Sequence, residues 1–509
     1  MKTARCETSR RVGVGRRQFI KQLSVLTAGG LLLPGFSGSA LAQKRIEPVR
    51  VRGVVRADGK PLAGARVTDG LNVVATERSG RFELISGTDR RFVYLTLPAG
   101  CKIPTNATGT ARFYERLQPN ARGEMEVVFE LTKMEEADEK HAFLVLADPQ
   151  MEDPYELGLF LEQTVPDIRK TASTLAGTSL FAVSCGDIMS DHLQYYPDYE
   201  KAVKEAGIPF FQVLGNHDMD YTARSDDWST ETFERHFGPP YYSFDRGAVH
   251  YVVLDDILWH GDGYIGYINE RQLEWLSNDL SFVESGRAVV VFLHIPVYST
   301  QTERDGGSKP DWTIAVNNRD SLYRLLEPYK AHIFSGHMHE KEHVFRNGIH
   351  EHVAGAVCGA WWSGPICSDG TPNGYDVVEV SGEELKWRYQ ATGLEAGHQL
   401  RVHPHGSDPT APDEIVANVW DWDPEWQVVW YEDGDRKGAM SRRTGLDPLS
   451  GTLHAGPDLP ARRKWVEPTR TSHLFYAPVS RNAREVIVEA TDRFGRVYRE
   501  VLQESAGMR

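Results

Sequence analysis

Between Ala142 and Phe334 the chain carries six short apolar runs, and five of them lead directly into a residue able to hold a metal or move a proton. Asp148 and Gln150 follow Ala142–Ala147, and Asp187 follows Leu180–Cys185. Asn216, His217 and Asp218 follow Pro209–Leu214, His294 follows Ala288–Leu293, and His337 and His339 follow Ala331–Phe334. The sixth run is His250–Leu254. Runs of this length bounded by turn residues read as buried strands. The intervening segments, about Glu156–Leu175, His192–Ala206, Glu270–Phe282 and Arg319–Tyr329, carry apolar residues at the three- and four-residue spacing of amphipathic helices. Strand alternating with helix predicts an α/β domain, and open α/β sheets bind ligands beyond their strand carboxyl ends. Five segments, tens of residues apart, are therefore expected to converge on one edge of one sheet.

Taken singly these signals are weak. Gly186-Asp187 is usually a turn, Asn216-His217-Asp218 is often a turn or a helix cap, and His332 reads as a surface or packing histidine. The ordered set is specific: Asp148-Pro149-Gln150, Gly186-Asp187, Gly215-Asn216-His217-Asp218, His294-Ile295-Pro296 and Gly336-His337-Met338-His339. In this order the blocks resemble the calcineurin-like metallophosphoesterase family, over about residues 143–389. The resemblance implies an α/β four-layer (αββα) sandwich in which helices flank two β-sheets. It also implies two metal ions: Asp148, Gln150, Asp187 and His339 would hold one, and Asp187 would bridge to a second on Asn216, His294 and His337. Imidazole, carboxylate and amide donors without a thiolate suit first-row divalent or trivalent ions such as manganese, iron or zinc. Such a pair activates water as a hydroxide nucleophile and neutralises phosphate oxygens. His217 would stand beside the departing oxygen, where an imidazole is suited to proton transfer near neutral pH. Asp218 either orients His217 or closes its turn.

Two positions depart from the family pattern. The first block commonly reads Asp-x-His, whereas Gln150 offers a neutral, harder amide oxygen, which should weaken a preference for zinc and favour manganese or iron. Ser190 stands where the protein serine/threonine phosphatase branch has an aspartate that pairs with the catalytic histidine, which weakens a protein-phosphatase reading. Asp191 is either a substitute partner for His217 or the cap of the helix that follows. After the last metal block, Trp361 and Trp362, and then Asn373 and Tyr375, lie in a Gly- and Pro-rich stretch close to the ligands. They are candidates for substrate binding, with the two tryptophans either stacking on a sugar or base or packing under the loop.

Flanking this region, residues 43–133 read as a small β-sandwich of short strands broken by Ala57-Asp58-Gly59, Asp69-Gly70 and Ser79-Gly80. Residues 141–394 form the expected catalytic domain and residues 395–509 a β-rich domain. In the latter, Trp420, Trp422, Trp426 and Trp430 suggest a glycan-binding face or, at the period-two spacing of the first pair, a buried strand face. Residues 1–42 carry seven Lys or Arg against one acid, an apolar run Leu23–Leu33 and a small-residue end at Ala40-Leu41-Ala42, the pattern of a cleaved signal peptide. Gly15-Arg16-Arg17-Gln18-Phe19-Ile20-Lys21 resembles a twin-arginine signal, so the twin-arginine translocation machinery is an expected partner. A periplasmic or secreted bacterial location follows, with no integral membrane segment after cleavage. Removing residues 1–42 takes the formal net charge from −14 to −20, which argues against a nucleic-acid partner. Cys358 and Cys367 are close enough in sequence to close a short loop in an oxidising compartment, and Cys185 reads as a buried free thiol.

The function expected from sequence is thus an exported phosphoesterase with a binuclear metal centre. Its substrate would be a small-molecule or envelope phosphomonoester or phosphodiester. The alternative is a glycan-binding envelope protein on an inactive scaffold.

Overall fold

The computed structural model describes residues 45–307 and 311–503, so the signal-peptide expectation lies outside the described residues. The amino-terminal strands form two four-stranded sheets. In one, Pro48–Ala57 pairs antiparallel with Arg81–Gly87 and parallel with Glu124–Leu131. The other contains Arg66–Thr68, Val73–Ala75, Phe92–Thr96 and Tyr114–Arg116. Strict alternation of exposed and buried residues along Arg81–Phe82–Glu83–Leu84 shows one face on the core and one in water. This module is tied to the central region by Thr96 Oγ1 to Ser243 Oγ at 2.9 Å, by the Arg66–Asp245 ion pair, and by Arg91 to Glu234 at 2.8 Å.

Two mixed sheets make up the central region. The first runs Phe210–Val213, Ser179–Cys185, Lys140–Leu146, Gly374–Ser381, Glu384–Ala391, with its first three strands parallel. The second runs Tyr242–Arg246, Val249–Val253, Ala288–Phe292, Lys330–Ser335, Ile349–Val353, Glu342–Arg346, with its four inner strands parallel and both edges antiparallel. Phe143, Phe181, Phe244, Tyr251, Phe292 and Phe334 fill the space where the sheets face each other. On the other face of the first sheet, Leu144 and Ala182 pack with Ile168 and Tyr199 from helices Val165–Thr174 and Tyr196–Ala206. Val289 and Val291 do the same with Leu276 and Leu322 from helices Glu270–Leu280 and Arg319–Leu326. Burial on both faces is why these strands read as unbroken apolar runs rather than as alternation.

The five segments that carry the candidate ligands come from two sheets, not from one edge of one sheet as the strand pattern suggested. Asp148, Gln150, Asp187 and Asn216 follow strands of the first sheet, and His294, His337 and His339 follow strands of the second. Alternating strand and helix does not reveal where the chain changes sheet. The helix expected over Glu156–Leu175 is interrupted by a π turn at Phe160–Thr164, two residues before Pro166, whose missing N–H removes one rung of the α-helical ladder.

Beyond Leu400 two four-stranded antiparallel sheets enclose Trp426, Phe475, Val488 and Tyr498. Trp420 is buried, and Trp422 and Trp430 pack partly buried against the same module, so these tryptophans serve the interior. Cys101, Cys185, Cys358 and Cys367 are all buried and free, with no Cys358–Cys367 bridge. No described helix is long and apolar enough to cross a membrane.

Candidate metal centre

Three of the five strand ends hand their candidate ligands to the centre through unusual backbone. Asp148, Gln150, Asp187, His337 and His339 all have positive φ, between 38° and 70°. Side chains with a Cβ rarely adopt this left-handed region, at a cost on the order of 1–3 kcal/mol each, and such conformations gather at functional sites. Two glycines permit the close approach. A Cβ on Gly215 would lie 2.0 Å from the Asp187 nitrogen, and one on Gly336 would lie 2.7 Å from Asp148 Oδ2.

The side chains converge as acceptors. His294 gives its Nδ1–H to the Cys185 carbonyl at 2.8 Å, which leaves a lone pair on Nε2. That nitrogen faces Asn216 Oδ1 at 3.1 Å, His337 Nδ1 at 3.2 Å and Asp187 Oδ1 at 3.3 Å. His339 likewise donates Nδ1–H to Gly359 O at 2.5 Å and turns Nε2 toward Asp148 Oδ1 at 3.7 Å. Asp148, Asp187, Asn216, His294 and His339 are almost wholly buried. Lone pairs packed this closely away from water repel one another unless a cation or a proton stands among them. The ionisation equilibria register that demand. Burial opposes a charge on His294, yet the Asp187 carboxylate outweighs it and raises the imidazole to about 10. Burial pushes Asp148 up to about 7, whereas the surrounding imidazoles, His294 first, overcome burial at Asp187 and hold it well below the usual carboxylate range. Burial lowers His337 to about 3 and His339 to about 4, keeping both neutral as ligands must be. The donor set therefore fits metal ions. Gln150 sits beside Asp187 with Nε2 3.3 Å from Oδ2, and exchanging its amide nitrogen and oxygen would present a ligand oxygen there.

His217 and Asp191 lie at the mouth. His217 Nδ1 is 2.6 Å from Asp191 Oδ1, and both side chains are partly open to solvent. Asp187 and Asp191 overcome the cost of burial and raise His217 to about 9. Of the two roles open to Asp218, orienting His217 or closing its turn, its contacts fit the second. Its buried carboxylate accepts the N–H groups of Ile188, Met189 and Gly215 and the hydroxyl of Tyr196, all within 3.0–3.1 Å. It joins the Asp187 loop to the Asn216 loop and is a positioning residue.

An open cleft of about 370 Å³ lies over the centre. Of the four substrate candidates, only Trp361 lines it, stacked on His339 with ring centroids 3.9 Å apart. Trp362 is buried and donates Nε1–H to Pro149 O at 3.0 Å, supporting the Asp148–Gln150 turn from behind. Tyr375 is fully buried against Asp167 and Thr171, and Asn373 reaches the Gly364 carbonyl. Sequence proximity to the ligands did not distinguish these four. The cleft also takes Tyr264, Ser368, Trp465, Glu467 and Thr469, which sequence reading missed. Trp465 meets Trp361 at 4.8 Å, on a carboxy-terminal segment that Arg462 and Arg463 fasten to Asp153, Glu152 and Glu156. No sequence signal joins residues some three hundred positions apart.

Comparison with known proteins decides the family. Models described as "N terminal of Calcineurin-like phosphoesterase", "Calcineurin-like phosphoesterase" and "C terminal of Calcineurin-like phosphoesterase" match residues 49–134, 141–341 and 351–498. The chain belongs to the calcineurin-like phosphoesterase family. It is a metal-dependent phosphoester hydrolase. Among its relatives, human "Serine/threonine-protein phosphatase CPPED1" is 26% identical over 296 residues, 53% of this chain and 89% of that protein. "Purple acid phosphatase 15" of Arabidopsis thaliana is 29% identical over 290 residues, 51% of this chain and 46% of that protein. A solved dimetal phosphatase from Danio rerio covers 49% of this chain and 96% of its own, at 14% identity and a TM-score of 0.34.

Proposed function

We propose that this phosphoesterase uses a binuclear centre to hydrolyse small phosphate esters outside the cytoplasm. The observation that carries the reading is the all-acceptor convergence of Asp187, Asn216, His294 and His337, with Asp148, Gln150 and His339 on the other side of Asp187. Asp148, Gln150, Asp187 and His339 would hold one ion. Asn216, His294 and His337 would hold the other, with Asp187 between them. Manganese or iron suits the harder Gln150 side better than zinc. When bound, the two ions supply an activated water and offset charge building on phosphate oxygens.

The chain's own side chains do the rest. His217, kept protonated by Asp191, donates to the leaving oxygen. Asp218 holds the two ligand loops in register, and Trp361 keeps His339 in its plane. The same layered packing, helices outside two facing sheets, supports the four-layer reading of the fold. An inactive scaffold would not require strained backbone at five candidate ligand positions or a cluster of acceptors facing one another at the floor of a cleft.

Substrate choice rests on the cleft walls. Trp361, Trp465 and Tyr264 offer ring faces, Glu467 is acidic, and no Lys or Arg lines the cleft among the described residues. Such a wall suits a single phosphoester on a ring- or sugar-bearing group and disfavours a polyphosphate or nucleic-acid strand, in keeping with the net charge. Export through the twin-arginine route, into a bacterial periplasm or beyond, is proposed from residues 1–42. The test is metal-stripped protein reloaded separately with manganese, iron, zinc or magnesium and assayed on p-nitrophenyl phosphate and bis(p-nitrophenyl) phosphate. Preference for the first marks a phosphomonoesterase and preference for the second a phosphodiesterase. Hydrolysis of neither under any metal overturns the proposal.

A further inference from the structure

A second gathering of imidazoles lies at the other end of the strand that delivers His337. His332 sits near the start of Lys330–Ser335 and is in register with His350 on Ile349–Val353, while His343 on Glu342–Arg346 is in register with His352. All four share the sheet face turned toward Trp387, whose ring meets His350 and His352 edge-on at 4.9 and 4.7 Å. His332 Nδ1 is 3.0 Å from His352 Nε2, and His343 Nδ1 is 3.0 Å from His350 Nε2. His343 turns its other nitrogen to Asp421 Oδ1 at 2.8 Å, on the carboxy-terminal module.

Two features make this more than a packed core. His352 is wholly buried, and its Nδ1 has no hydrogen-bond partner, a costly arrangement for a polar atom with nothing to bind. One nitrogen from each of His332, His350 and His352 also lies within 4.8 Å of the others. Zinc holds imidazole nitrogens at about 2.0–2.1 Å, which sets them roughly 3.4 Å apart in a tetrahedron, and the three nitrogens, on rings held by stacking of His350 on His352 at 3.9 Å, already lie near that spacing. The rings are uncharged: burial lowers His332 to about 4 and, reinforced by the neighbouring histidines, drives His350 and His352 further down.

We infer that His332, His350 and His352 form a structural site for a first-row divalent ion of the zinc class, with His343 as the adjacent imidazole. Carboxylate support of a histidine is what orients imidazoles around metals, and Asp421 gives it to His343. Asp421 and Asp376 also flank the buried Lys341 ammonium, at 3.4 and 2.8 Å, so the region already holds anionic charge. His332 is the partly exposed member and gives an ion a way in. Through Asp421 an ion here would pin the six-stranded sheet to the carboxy-terminal module.

The inference is independent of phosphoester chemistry and is tested on the full chain. Protein stripped with a chelator and reloaded with zinc is analysed by plasma mass spectrometry. Three equivalents per chain are expected, falling to two in the His350→Gln/His352→Gln double variant, with aryl phosphate hydrolysis retained. His332→Gln, at the rim, provides the same test should the double variant fail to fold. Cobalt reloading gives a second readout: a visible tetrahedral band that survives Asp187→Asn and is lost in His332→Gln. A parent stoichiometry that does not fall by one equivalent in His332→Gln would overturn the site and leave the hydrolase reading standing.

Discussion

Replacing Asp191 by Asn isolates the leaving-group step. The Asp191 carboxylate lies 2.6 Å from His217 Nδ1, with side-chain exposures of 47% and 30%. A charge-assisted hydrogen bond contributes about 1.5–3 kcal/mol against roughly 1 for a neutral one, and exposure of the pair places the difference at the low end, about 1 kcal/mol. Asn keeps the size and an acceptor, so folding stability and metal content should not change measurably. A loss of about 1–1.4 kcal/mol in the transition state is a five- to tenfold fall in kcat. The fall should be concentrated on alkyl phosphates, whose poor leaving group needs the proton, and nearly absent on p-nitrophenyl phosphate. Asp187 and then Asp191 hold His217 above its ordinary value, so loss of the Asp191 contribution moves the basic limb of the kcat–pH profile toward lower pH. Bound cations lower both enzymes' profiles without reversing that difference. Steady-state kinetics on one alkyl and one aryl ester across pH 5–10 measures both effects. Equal losses on the two esters, or an unmoved basic limb, would refute the assignment of His217 as proton donor.

Three further outcomes follow from the geometry. Gly215→Ala forces a Cβ to within 2.0 Å of the Asp187 nitrogen, so metal analysis should find the centre depleted and thermal melts a loss of at least about 1–3 kcal/mol. The Arg462→Ala/Arg463→Ala double variant releases the Trp465 segment and leaves the buried Glu156 carboxylate without its cations. KM for an aryl phosphate should rise several-fold with kcat nearly constant, and an unchanged KM removes Trp465 from the substrate wall. His250, buried between Asp279 and Asp245 at 2.8 and 2.7 Å, overcomes burial to titrate at about 9. The folded state therefore binds its proton more tightly than the unfolded chain. The resulting stability, on the order of 2–3 kcal/mol, is complete below about pH 6.5 and is lost as pH rises toward 9. Melts of the parent and His250→Gln should converge over that interval, and parallel curves would contradict it.

What the sequence revealed and concealed divides along physical lines. Buried parallel strands are apolar on both faces, so Ala288–Phe292 and Ser179–Cys185 stood out as runs, and the residues at their ends stood out with them. The half-polar strands Glu342–Arg346 and Glu384–Ala391 lack that signature, and their sheet membership came only with the structure. His332 looked like a packing histidine because its partners, His350, His352 and His343, become neighbours only through strand pairing. Asp218 was ambiguous because a carboxylate beside a histidine fits both roles until its four donors are seen. Trp465 was invisible because the ion pairs that carry it to the cleft span about three hundred residues.

Anomalous X-ray diffraction from crystals of manganese- or iron-reloaded protein tests the central claim most directly. Two peaks are predicted, one between Asp148, Gln150 and His339 and one between Asn216, His294 and His337, with Asp187 touching both. A single peak, or none at these seven residues, would contradict a binuclear centre.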